Sequence, residues 1–388
     1  MTVRLRGLPA FGMVLVSTAY VVEISTFPLI LPALAESLNI LVQSSQARML
    51  VAFYKIALVI SLLFGGWLGD RLGKEVIFTV GTAIFCLASF ALLLSPNAEA
   101  ALIARALQGF GAGLFSPMVP ALLSAHSPQN PVRALARWGL VTGIAAATYP
   151  IFAEQLIRLF GWSGGWVVIP LVAGLSLFGL PRTKDVKDPP EPAKIHTSLR
   201  DISIPVWAIL AYVFLNYGIT TWFIYAMAIN MPAGTGMYNI GLLMAVLWGT
   251  FSISNIAVEK LWNGWASGAR LLVAGALLNT TGVWIFGAFG VQPICCVLAA
   301  LLIGMGMALN NVPTTEMAFE LSDRTMHGRV ASLDIVAARL GGAVFVVWIP
   351  IVGWEGVIAN TWAALISLMM VAYAASQHAT YHQASQRA

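Results

Sequence analysis

The sequence predicts an all-α membrane protein with twelve transmembrane helices, arranged as two pseudo-symmetric six-helix bundles. Its composition, the spacing of its apolar runs and an internal repeat all predict it. Hydrophobic residues fill 59% of the 388 positions and charged residues only 10%, too little charge to cover a soluble protein of this length. A bilayer replaces water as solvent, so the outside of the fold can be as apolar as its inside. The abundance of glycine and tryptophan suits the same setting, since glycine lets helices approach closely and tryptophan favours the membrane interface.

A spanning helix needs about 20 mostly apolar residues. That ruler places spans near 10–34, 45–69, 76–95, 100–123, 138–158 and 164–181 in the first half. In the second half they fall near 205–230, 238–259, 270–290, 292–315, 330–352 and 356–377. The first span follows Arg4 and Arg6 with no small-residue cleavage site, so it is expected to be retained. Residues 182–204 are polar and proline-rich and cannot span; they are read as a cytoplasmic linker between an N-terminal bundle (1–181) and a C-terminal bundle (205–388) with a short cytoplasmic tail.

Lysine and arginine are distributed asymmetrically. With the N-terminus inside, the cytoplasmic segments hold Arg4, Arg6, Arg71, Lys74, Arg133 and Arg137, five basic residues of the linker, and Lys260, Arg270, Arg324, Arg329 and Arg387. The exceptions are Arg48 and Arg158 at outer span ends, and Lys55, Arg105 and Arg339 within spans. This positive-inside pattern sets both termini in the cytoplasm, in a cell inner membrane. It also accounts for the pI near 9.2 without nucleic acid. Cys86, Cys295 and Cys296 lie in apolar runs, and no Cys or His cluster has metal-ligand spacing. No metal or cofactor is expected.

The halves repeat. Leu107-Gln108-Gly109-Phe110-Gly111 leads to Pro117 in the fourth span, as Leu302-Ile303-Gly304-Met305-Gly306 leads to Pro313 in the tenth. Asp70-Arg71-Leu72 follows the second span and Glu259-Lys260-Leu261 the eighth; the fifth ends at Gly161-Trp162 and the eleventh at Gly353-Trp354. Paired bundles about a midplane site are a transporter architecture.

The loop Gly66-Trp67-Leu68-Gly69-Asp70-Arg71-Leu72-Gly73-Lys74 resembles the signature loop of the major facilitator superfamily. Gly66 is expected to allow close helix packing and Gly73 a tight turn. The resemblance implies the major facilitator fold, and a gating role for Gly66, Asp70, Arg71, Gly73 and Lys74 that latches the outward-facing state. Leu102 to Ala112 resembles the fourth-helix motif of the proton-linked members, in which Arg105 takes part in proton coupling. The fifth helix departs from the antiporter pattern: Tyr149 stands before Pro150 where a glycine is usual, and a following Gly-Gly is missing. Drug efflux by antiport is thereby put in doubt.

Ionisable groups inside a span cost several kcal/mol unless partnered or hydrated. Glu23 and Lys55 both fall roughly 16 Å below the outer surface at 1.5 Å per residue, which makes them a plausible pair. Arg105 lies nearer the outside by roughly 9 Å, a gap its side chain partly closes. Glu23, Lys55 and Arg105 are therefore the candidate proton-coupling residues, with Glu23 titrating. Asp334 is read as structural or gating, and Glu154 with Arg158 as a solvated i,i+4 pair. By the resemblance, helices one, four, seven and ten line the substrate cavity. Asn216, Tyr217, Trp222 and Tyr225, Asn310 and Asn311, with Arg339 from the eleventh span, are the candidates, and Phe115 and Trp248 are possible aromatic walls. The reading is a proton-coupled secondary transporter, a monomer in the lipid bilayer. Its partners are protons and a small organic substrate, carried outward (a drug or metabolite) or inward (a vitamin-like aromatic solute). A lipid-modifying membrane enzyme lacks a nucleophile or metal cluster here, so no enzyme is expected; a non-transporting receptor is the remaining alternative.

Overall fold

The computed structural model describes residues 8–127, 131–179, 202–230, 240–261, 265–323 and 326–387. The first half holds α1 (Leu8–Ser37), α2 (Ser45–Leu72), α3 (Lys74–Leu93), α4 (Ala98–Phe115), α5 (Met118–His126), α6 (Pro131–Trp166) and α7 (Val168–Ser176), closed by a 3-10 turn over Leu177–Gly179. The second holds α8 (Ile204–Asn230), α9 (Ile240–Leu261), α10 (Trp265–Phe289), α11 (Pro293–Glu320), α12 (His327–Trp348) and α13 (Trp354–Arg387). Eleven of the described stretches are long and apolar enough to cross a membrane.

Local chemistry sets the helix ends. Ser44 caps α2 by accepting from the Ala47 amide, and Asn97 caps α4 by accepting from Ala100 at 2.9 Å. Pro293 opens α11 at its first turn, where no amide partner is needed. Gly73 stands between α2 and α3 at φ +94, a conformation that side-chain-bearing residues avoid.

The expected sixth span differs most. The α6 range covers two helical stretches separated by a kink at Gly161, whose backbone (φ 72) is not helical. The residues after that break, with α7 and the 3-10 turn, form the sixth stretch, whose regular apolar helix Val168–Gly179 is shorter than a full crossing. The equivalent turn in the second half is Gly353, also at positive φ (86). The two Gly-Trp pairs of the repeat thus use the same backbone device.

The chain forms two compact units, Met1–Glu191 with Gly234–Ala245, and Pro192–Ala233 with Val246–Ala388. Most of the expected linker lies outside the described residues. The start of α9 groups with the first unit because Gly241 lies against α6, its amide donating to Glu154 Oε2 at 2.6 Å. Glu154 also pairs with Arg158 at 3.0 Å, so this carboxylate is not merely solvated as expected.

The repeat is visible in packing inside each unit. A Cβ on Gly109 would fall on the carbonyl of Tyr54 in α2, and one on Gly111 on the backbone of Gly81 and Phe85 in α3. In the second unit Gly304 meets Leu247 of α9 in the same way, and Gly306 meets Gly275 and Asn279 of α10. Each Gly-x-Gly therefore brings the middle helix against two neighbours at backbone distance. Symmetry fails at the prolines: Pro117 separates α4 from α5, whereas Pro313 lies within a continuous α11. Gly109→Ala is expected to destabilise the detergent-solubilised protein by about 2–3 kcal/mol, since neither backbone can yield. Gly139→Ala, where a Cβ meets open space, should not lower thermal melting and should stabilise by up to about 1 kcal/mol through helix propensity.

The outer faces carry apolar side chains such as Leu63, Phe64, Leu87, Ile103, Leu140 and Ile144. In water these would make an aggregating surface; against acyl chains they cost nothing.

Candidate functional site

In the first unit, Arg105 of α4 is 1% exposed and its Nη1 lies 2.6 Å from Oε1 of Glu23 on α1, which is equally buried. Nη1 also donates to Gln108 Oε1, and Nε donates to the Leu50 carbonyl of α2 at 3.1 Å. The guanidinium sits 3.7 Å from the Phe27 ring centroid and 4.3 Å from that of Tyr54, positions that favour a cation. Gln108 in turn donates to Ser89 Oγ at 2.8 Å, and the Trp166 indole donates to the Ser89 carbonyl at 3.1 Å. A sealed network of α1, α2, α3, α4 and α6 thus holds one carboxylate and one arginine.

Two of the expected coupling residues meet directly. The depth difference expected between Glu23 and Arg105 is closed by the extended arginine, whose Nε reaches back to α2. Lys55, on α2 beside Tyr54, is half-buried. Gln108, Ser89, Tyr54, Phe27 and Trp166 were not singled out in the sequence. Gln108 carried a signal, three residues from Arg105 on one helix face; the others come from distant positions. Among the described residues, Glu23 Oε2 and Tyr54 Oη are buried with no other hydrogen-bond partner, and the Tyr54 phenol lies within reach of the Glu23 carboxylate.

In the second unit the expected cavity residues divide. Asn310 is buried, accepting from Tyr212 Oη at 2.6 Å and lying on Gly275 of α10. Asn216 is buried and its amide donates to the Tyr212 carbonyl at 3.2 Å. Trp222 is buried with its indole on the Pro350 carbonyl at 2.9 Å, at the turn between α12 and α13. Tyr225 is also buried. Asn310 and Trp222 thus tie separate elements together, whereas Asn216 bonds within its own helix. Tyr217, Asn311 and Arg339 are instead partly buried. Tyr217 Oη donates to Asn311 Oδ1 at 3.0 Å, and Asn311 Nδ2 donates to Asn255 Oδ1 of α9 at 3.3 Å. One turn further along α11, the Thr315 hydroxyl donates to Asp334 Oδ2 at 2.8 Å. Asn255 and Thr315 were missed because neither stands out in a helical stretch until α9, α11 and α12 are side by side. Phe115 is fully buried among Tyr20, Phe78 and Phe85, and Trp248 packs edge-on against Phe251.

A family model described as Major Facilitator Superfamily matches residues 12–346. The chain belongs to that superfamily. It is a multi-pass membrane protein of that superfamily. Among curated relatives, it is 31% identical over 170 residues to the drug efflux pump JefA of Mycobacterium tuberculosis, across 43% of this chain and 33% of the pump. It is 28% identical over 281 residues to the major facilitator superfamily multidrug transporter mfsC of Aspergillus fumigatus, across 68% of this chain and 50% of that protein. The chain therefore spans a third to a half of the length of these relatives. Among solved structures, the POT family transporter PepTSo superposes with a TM-score of 0.77 at 12% identity, over 99% of both chains; this likeness is one of fold.

The superfamily loop is built as a tight turn between α2 and α3, with Gly73 at positive φ and Arg71 exposed. The Asp70 side chain lies outside the described residues. Gly66 departs from expectation: a Cβ there would meet nothing within 4 Å. The close approaches belong instead to Gly65, facing the Gly113 carbonyl of α4, and to Gly69, facing Met118 of α5. In the fifth helix, Tyr149 donates to the Gly165 carbonyl at 3.0 Å, tying the helix to the residues beyond the Gly161 break. It also lines an apolar cavity of about 170 Å³ with Thr18, Ala19, Val22 and Phe152.

Proposed function

We propose that this superfamily member is a proton-driven exporter of small, largely apolar organic compounds from the cytoplasm across a cell inner membrane. The observation that carries this is the sealed Glu23–Arg105 pair. An ionised carboxylate there is stabilised by the guanidinium; protonation removes the charge and weakens the pair, leaving Arg105 to its aromatic and carbonyl neighbours. A proton entering or leaving this pair changes what holds α1 to α4, the coupling that alternating access needs. Lys55, the residue after Tyr54 on α2, is the third member of the proposed coupling set. The turn at Gly73, with Gly66, Asp70, Arg71 and Lys74, acts as the latch. The partly buried Tyr217, Asn311 and Arg339 contact the solute. Outward direction rests on the efflux pump and multidrug transporter among its relatives, and cytoplasmic termini on the basic-residue asymmetry.

Uptake is the second reading, favoured by Tyr149 in place of the fifth-helix glycine. Everted and right-side-out membrane vesicles carrying the protein separate the two. A pH gradient should drive chloramphenicol or a dansylated amide into everted vesicles, with accumulation falling about tenfold when an ionophore collapses the gradient. Gradient-driven accumulation only in right-side-out vesicles establishes uptake; flux indifferent to the gradient in both overturns proton coupling.

A further inference from the structure

We infer that the half-open polar cluster of the second unit, centred on the Asp334 carboxylate, binds the ammonium group of an organic amine; this rests on the transporter reading and names its substrate class. Asp334 is the eighth residue of α12, inside a membrane-crossing helix, where an ionised carboxylate needs a partner. Glu23 has one built in and is sealed. Asp334 has none: Oδ2 takes the Thr315 hydroxyl, while Oδ1 is buried without a hydrogen-bond partner. Among the described residues it makes no ion pair.

The surroundings are polar and less deeply buried than the neighbouring helix faces. The Tyr217 phenol lies within electrostatic reach of both Asp334 and Arg339, and it is joined through Asn311 to Asn255. Asn311 and Thr315 are four residues apart on one face of α11, a rise of about 6 Å. Arg339, five residues along α12, stands about 140° round the helix from Asp334. Tyr217, Asn255, Asn311, Thr315, Asp334 and Arg339 are all only partly buried, whereas Tyr212, Asn216 and Asn310 of the neighbouring faces are fully buried. A ligand N–H⁺ donated to Oδ1 would supply both the missing hydrogen bond and the missing counter-charge, as a charge-assisted contact. An uncharged amide satisfies the first need and not the second, which is the basis for selecting amines.

Dansylcadaverine, a fluorescent primary amine, and its neutral N-acetyl derivative isolate that difference. The purified full-length protein should bind the amine about tenfold more tightly than the acetylated compound. Asp334→Asn, which keeps the acceptor for Thr315, should reduce the ratio to about twofold or less without weakening the acetylated compound. Asp334→Glu should retain the preference. Equal loss of both probes in Asp334→Asn overturns the inference in favour of a structural role. A preference that survives Asp334→Asn also overturns it, and loss of proton-driven flux in that case makes Asp334 a second proton site. Gradient-driven flux of dansylcadaverine into everted vesicles tests the exporter reading separately: its presence without any amine preference in binding removes the Asp334 site alone, and its absence while the amine is bound removes the exporter reading.

Discussion

Glu23→Gln uncouples transport from the proton gradient: gradient-driven flux falls about tenfold or more, while solute exchange between equal concentrations stays within about twofold of wild type. The substitution is nearly isosteric. Its amide oxygen can still accept from Arg105 Nη1 at the place now held by Oε1, so the bundle keeps its geometry. What it loses is the ability to take and release a proton. The measurement is paired flux in proteoliposomes, one set with an imposed pH gradient and one in exchange mode. An unchanged gradient dependence would make the pair a static brace and move proton coupling elsewhere, with Asp334 the next carboxylate to examine.

Arg105→Ala carries the largest expected cost in stability, about 3–5 kcal/mol, because it leaves the Glu23 carboxylate buried without its counter-ion. The same change removes the bonds to Gln108 and Leu50 and the cation over Phe27 and Tyr54. Adding Glu23→Gln to Arg105→Ala should restore part of the loss, since an amide is far cheaper to bury than a lone charge. Arg105→Lys should fall between, keeping the charge but not the planar fork that serves Nε and Nη1 together. Thermal melting in one detergent, run as a double-mutant cycle, measures the coupling. Additive effects, or an Arg105→Ala variant that melts with wild type, would show that the arginine does not stabilise Glu23.

The helices were legible because the bilayer enforces a length and a composition that any reader of the chain can measure. Ten of the twelve expected spans coincide with one long apolar helix each, shifted by a few residues at the ends; the fourth is divided at Pro117. The sixth was not legible at its start, because the kink at Gly161 that separates it from the fifth is set by one backbone angle and not by a polar loop. The repeat was legible in letters, and its physical meaning is two backbone contacts per Gly-x-Gly. The candidate site was read less evenly. Counting depth along single helices brought Glu23 and Lys55 level, but side-chain length and the α2 carbonyl decide that Arg105 reaches Glu23.

The sequence by itself determined the solvent, the spans, the repeat and the residues whose charge has no place in hydrocarbon, because each follows from local composition over about 20 positions. Only the tertiary structure decided what those residues do. Asn310 and Asn311 are adjacent letters of one helix, 100° apart around its axis; packing seals the first onto α10 and leaves the second half-open beside Tyr217 and Asn255. Arg105 and Asp334 are both single charges in apolar runs. One is closed within a shell of carboxylate, amide and aromatic rings, and the other keeps a carboxylate oxygen unpartnered. That difference lies in neighbours tens of residues away, brought near by helix packing that no local pattern encodes.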